Sequence, residues 1–158
     1  MTNKAGIFLT WLYGPEGGGS TVRPFHVLDF ARYLENVEGS VFWNVVTEVW
    51  DTFDLIPHSE FEHEFIRFQE TAPGCNGSTQ LRLHRGQDAD APIGLSWTSS
   101  ADVAADFARG HRGISYKDPT VLTILVHAKQ VAFQCNDREE QEYVLLRIPN
   151  TFDFEWAG

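Results

Sequence analysis

The chain has 158 residues, of which 42% are hydrophobic and 13% aromatic, and it carries a formal net charge of −10. That is enough apolar material for a packed core, which excludes a disordered tail. The acidic balance disfavours extensive nonspecific binding to nucleic acid, and no apolar run approaches the roughly 20 residues of a membrane-spanning helix. Met1, Thr2, Asn3 and Lys4 do not begin a secretory signal, and Cys75 and Cys135 have no CxxC spacing. These features lead us to expect a cytoplasmic protein with reduced thiols and no membrane partner, with pairing of the two cysteines left open.

In chain order, residues 5–13 read as a strand or an extended apolar segment. Residues 14–20 are rich in glycine, but no Lys-Ser or Lys-Thr follows, so they read as a linker and not as a nucleotide loop. Pro24 suits the first turn of a helix running to Leu34. Ser40 is placed to cap a second helix, on which Phe42, Val45, Val46, Val49, Trp50 and Phe53 recur with helical spacing. Pro57 opens a third helix with Phe61, Phe65 and Phe68 on one side. These aromatics read as core. The segment 73–78, with proline and two glycines, marks the clearest internal boundary.

Beyond that boundary the pattern changes to period two. Leu81 and Leu83 alternate with Arg82 and His84, and Ile93, Leu95 and Trp97 alternate with Gly94, Ser96 and Thr98. The apolar run from Val121 to Val126 predicts a central strand, Val131 and Phe133 a short one, and Val144, Leu146 and Ile148 a last one. One helix interrupts the strands. Ser99 and Asp102 begin it in the manner of a capping box, and Val103, Ala104, Phe107 and Ala108 form its buried face. The expected class is α+β in a single domain, 1–158: a helical N-terminal part, 1–77, packed as a layer on a mostly antiparallel sheet within 78–158.

Arg85 ends the apolar face of its strand, and Glu142 begins that of the last strand. A charge in such a place is costly unless it is paired or lines a cleft. The two residues are therefore expected either to form a structural ion pair or to face a common cleft. No set of histidines and cysteines has metal-ligand spacing, so no metal is expected.

The segments Leu83-His84-Arg85-Gly86, Gly94-Leu95-Ser96-Trp97-Thr98-Ser99 and Glu139-Glu140-Gln141-Glu142-Tyr143-Val144 resemble, in that order, the arginine–serine–glutamate signature of the ADP-ribosyltransferase superfamily. The resemblance spans about residues 81–148. It implies a split β-sheet of that type, with NAD as substrate and 78–158 as the NAD-binding core.

By the same resemblance, Arg85 contacts phosphate and ribose, and the backbone at Gly86 holds the nicotinamide amide. Ser96 positions the catalytic glutamate and the nicotinamide ribose, and Thr98 keeps a hydroxyl at the third position of the serine motif. Trp97 departs from the usual middle threonine. Glu142 is the catalytic glutamate, and Glu140 is the residue that activates the acceptor in arginine-modifying members. A loop carrying Arg112 and Tyr116 is expected on phosphate and nicotinamide respectively.

These residue types suit the chemistry. A guanidinium forks onto phosphate, and a fixed carboxylate stabilises an oxocarbenium-like transition state. The resulting expectation is a small mono-ADP-ribosyltransferase of the bacterial or phage toxin and effector kind. Its macromolecular acceptor would be a protein arginine or, alternatively, nucleic acid, and an antitoxin protein would neutralise it. A catalytically silent NAD- or ADP-ribose-binding module and an NAD glycohydrolase are the alternatives.

Overall fold

Helical spacing of bulky side chains builds the first half of the chain. In the computed structural model, which describes residues 3–75, 79–110, 116–135, 141–151 and 154, the chain divides between Pro73 and Gly74 into two compact units. The first contains α1 (Lys4–Leu12), α2 (Arg23–Arg32), α3 (Gly39–Val49) and α4 (His58–Arg67). On and just after α3, Phe42, Val45, Val46, Val49, Trp50 and Phe53 are all buried, as their spacing predicts. Phe42 stacks on Phe68, and Trp50 meets Phe61 edge to face, so α3 and α4 share an aromatic core. The Trp43 indole donates to the Phe68 carbonyl at 2.8 Å, which satisfies its one polar atom.

Two local expectations for this unit are corrected. Residues 4–12 are helical, not extended: the Asn3 side chain caps the helix by accepting from the Gly6 amide, and the buried Ala5 and Leu12 lie two turns apart. Ser40 does not cap α3. The helix begins at Gly39, and Glu38, at its N-cap position, is engaged with the Glu35 amide and with Lys4 instead.

The second unit is a five-stranded antiparallel sheet with one helix. The strands are β1 (Gln80–Asp88), β2 (Ser96–Thr98), β3 (Pro119–His127), β4 (Val131–Cys135) and β5 (Glu142–Leu145), and α5 (Ala101–Ala108) follows β2. Their order across the sheet is β3-β1-β2-β5-β4. With four helices in the first unit and this sheet in the second, the described chain is α+β. None of its helices is long and apolar enough to cross a membrane.

The Val121–Val126 run is not central: it lies on β3 at the sheet edge. Ile124 and Val126 are buried there, while Val121 and Leu125 are exposed on the opposite face. One-sided burial accounts for Ile124 and Val126, and leaves the apolar Val121 and Leu125 on the exposed face. The cap of α5 is Ser100, whose hydroxyl accepts from the Val103 amide, and not Ser99. The last strand ends at Leu145, before Leu146 and Ile148, although the Leu146 amide still bonds to the Gln130 carbonyl beside the start of β4.

Register assigns the faces. Leu83, Trp97, Ile124, Val126, Val131, Leu145 and Phe154 form the core on one side of the sheet. On the other side, direct cross-strand pairs align Thr123, His84, Thr98, Glu142 and Cys135 in one row across all five strands. Helix α5 lies on this second face and presses on the β1 backbone. A Cβ at Gly86 would stand 1.9 Å from the Ala104 carbonyl oxygen and 2.6 Å from the Ala108 nitrogen, so only glycine admits the helix there.

Candidate functional site

β1 and β2 pair at one position only, His84 with Thr98. Past that pair, β1 continues along β3 to the Asp88–Pro119 pair, while β2 runs with β5. The sheet therefore forks between β1 and β2. A cleft of about 80 Å³ opens at the fork, lined from β1 by Arg85 and Gly86, from β2 by Ser96 and Thr98, from α5 by Phe107 and from β5 by Glu142. That volume is smaller than the roughly 150 Å³ of a closed cavity that binds benzene.

The fork explains how residues from opposite faces meet. Arg85 follows His84 and so belongs, with Leu83, to the core face, whereas Glu142 belongs to the row that contains His84 and Thr98. In a continuous sheet the two would be separated by the backbone. Here the half-buried Arg85 side chain spans the gap, and its Nη1 donates to the Ser96 carbonyl at 2.7 Å. Its Nε donates to Gln87 Oε1 at 2.8 Å. Desolvation lowers the Arg85 pKa from its ordinary value, opposed by the neighbouring Tyr116 and Glu142. The guanidinium remains charged across the physiological range.

The hydroxyl side of the site is ordered from β2. Ser96 and Thr98 share a face, and Thr98 stands directly opposite Glu142. The Thr98 hydroxyl accepts from the Ser100 amide at 3.1 Å, which holds it at the start of α5. Trp97, the departure from the serine motif, points away from this face. Its indole is buried in the core and donates to the Gly94 carbonyl at 3.0 Å. Alternation along the strand puts the indole on the face opposite the two hydroxyls, while Trp97 still borders the cleft between Ser96 and Thr98.

The residue before Glu142 has an unusual backbone geometry. Gln141 has φ 48°, the left-handed region that glutamine rarely enters. The Ser99 hydroxyl donates to Gln141 Oε1 at 2.7 Å and the Ser99 amide to the Gln141 carbonyl, tying the end of β2 to the start of β5. Glu140 itself lies outside the described residues, as does Arg112.

The structure thus gathers Arg85, Gly86, Ser96, Thr98 and Glu142 around one cleft. Tyr116 is not part of that lining but stands close enough to Arg85 to oppose the desolvation that lowers its pKa. Two residues of the site escaped the sequence reading. His84 lines the cleft and bonds through Nδ1 to the Thr123 hydroxyl at 2.9 Å. Gln87 is a buried polar residue bonded to Arg85. A glutamine two residues beyond the arginine, on the same strand face, was the available signal for Gln87; His84 had none without the strand register. Among the described residues no group of three or more histidine, cysteine, aspartate or glutamate side chains is arranged to hold a metal ion. No protein-family model, curated protein or solved structure matches the chain.

Proposed function

We propose that the protein is a mono-ADP-ribosyltransferase that cleaves NAD and transfers ADP-ribose to a macromolecule. The observation that carries this reading is the convergence of Arg85, Ser96, Thr98 and Glu142, from three separate strands, on the cleft at the sheet fork. The arginine–serine–glutamate resemblance selects these same residues. A sheet that parts between its arginine strand and its serine strand also suits the split sheet of that superfamily.

The chemistry follows from the residue types. The Arg85 guanidinium holds the pyrophosphate, and the Ser96 hydroxyl orients the nicotinamide ribose. The bond between ribose C1′ and the nicotinamide nitrogen breaks, its electron pair leaves with neutral nicotinamide, and positive charge develops on the ribose. The Glu142 carboxylate stabilises that charge. An acceptor nucleophile then bonds to C1′ and loses its proton. The small cleft takes the nicotinamide-ribose end, and the adenosine end lies outside it. Glu140, just upstream of Glu142, and the acidic surface favour a protein arginine as acceptor over nucleic acid. In this reading the chain acts inside a cell as a toxin or effector, and a neutralising partner covers the cleft.

Incubation of the purified protein with labelled NAD and a cell lysate tests the reading. Label on a macromolecule is the expected result. Release of nicotinamide without transfer would make the protein an NAD glycohydrolase, and neither product would leave a silent binding module.

A further inference from the structure

We infer that Gln87 is a positioning residue that fixes the orientation of Arg85 and thereby sets the affinity of the cleft for an anionic ligand; the identity of that ligand as NAD rests on the function proposed above. Gln87 is only 4% exposed, and a buried carboxamide is costly unless its hydrogen bonds are made. It makes them on both sides. Its Oε1 accepts from Arg85 Nε at 2.8 Å, and its Nε2 donates to the Ala91 carbonyl at 2.9 Å and to the Asp88 carbonyl at 3.3 Å. The amide orientation is unambiguous, because a guanidinium only donates and a backbone carbonyl only accepts.

The consequence concerns which edge of Arg85 is left for a ligand. Gln87 takes the Nε hydrogen, so the Nε-containing edge cannot fork onto an oxyanion. The Ser96 carbonyl takes one Nη1 hydrogen. The donors that remain are on the Nη groups, at the tip of the side chain. Gln87 is anchored to the turn after β1, so it holds Arg85 in this pose before any ligand arrives. An unanchored arginine would have to be ordered on binding, which costs affinity.

Two measurements on the intact chain test this. The first needs no NAD. In the free protein, the Arg85 Nε–H resonance, assigned by its loss in Arg85→Lys, should exchange slowly with solvent. It should exchange rapidly in Gln87→Met and in Gln87→Ala, neither of which offers the carboxamide acceptor. Unchanged protection in either folded variant would overturn the inference. The alanine variant keeps the test open if the methionine variant fails to fold.

The second is a double-mutant cycle on NAD affinity. Gln87→Met should weaken binding by about three- to tenfold in the wild-type background and not at all beside Arg85→Lys. Equal weakening in both backgrounds would show that Gln87 acts on the general fold and not through Arg85. If the wild-type protein binds no NAD, the transferase reading fails while the Nε–H measurement still decides the positioning role.

Discussion

Arg85 and Ser96 are joined across the fork of the sheet by a 2.7 Å hydrogen bond from the guanidinium to the backbone carbonyl. The bond stands where a β1–β2 ladder would otherwise continue, so it holds the two strands at the spacing that leaves the cleft open. The same side chain places a guanidinium in the lining of the cleft. A structural role and a binding role for Arg85 are therefore not alternatives. One guanidinium has enough donors for both.

Arg85→Lys should lower stability and ligand affinity together. An ammonium cannot reach Gln87 Oε1 and the Ser96 carbonyl in the geometry of a planar fork. Loss of these charge-assisted bonds should cost about 1.5–3 kcal/mol in chemical denaturation. NAD affinity, read by calorimetric titration, should fall by about tenfold or more. Reduced stability with unchanged affinity would leave Arg85 as a purely structural residue.

Glu142→Gln should abolish transfer while the fold persists. The substitution preserves volume and removes charge at a half-buried residue of the cleft. Removing one preorganised electrostatic group typically lowers the rate about 100- to 1,000-fold. Circular dichroism should be unchanged, and near-wild-type turnover would refute the catalytic assignment.

Gly86→Ala tests the contact that brings α5 onto the sheet. The added methyl would collide with the backbone at Ala104 and Ala108, which cannot rotate aside as a side chain can. Overpacking of this kind costs about 1–3 kcal/mol. Activity should fall as well, since Phe107 of the same helix lines the cleft. Wild-type stability in this variant would mean that α5 shifts freely on β1.

Glu140→Gln separates acceptor activation from NAD cleavage. If Glu140 steers a cationic arginine, transfer should fall much further than NAD hydrolysis, whereas Glu142→Gln should suppress both. Parallel measurement of labelled acceptor and released nicotinamide distinguishes the two. Full retention of transfer would favour a non-arginine acceptor.

Cys75 provides a pH test independent of function. Cys75 and Cys135 are not joined in a disulfide, and burial raises the Cys75 thiol pKa above its ordinary value. The folded state therefore holds the thiol proton more tightly than the unfolded state. Its contribution to stability is complete below the unfolded thiol pKa and is lost as pH rises through the folded one. In a Cys135→Ser background, alkylation of Cys75 at mildly alkaline pH should be slower in the folded protein than in denaturant. Equal rates would contradict the burial effect.

Much of the helical unit was legible from residue spacing. The stripe from Phe42 to Phe53 and the series Phe61, Phe65, Phe68 are core because a helix places residues three and four apart on one face, whatever the rest of the chain does. Alternation likewise located β1 and β4, and it set Ser96 and Thr98 on the opposite face of β2 from Trp97. Residues 4–12 were misread because an unbroken apolar run has no period, and the Asn3 cap that decides the matter is a single hydrogen bond.

Alternation says which residues of one strand share a face. It does not say which face of one strand continues into which face of the next. That depends on register, fixed by hydrogen bonds between distant segments. Only the tertiary structure therefore aligned His84 with Thr98 and Glu142, placed β3 at the edge, and assigned Arg85 and Glu142 to opposite faces. It also supplied the fork that lets both reach one cleft. A fork is the absence of pairing between two strands, and no local pattern of residues encodes where two strands cease to pair.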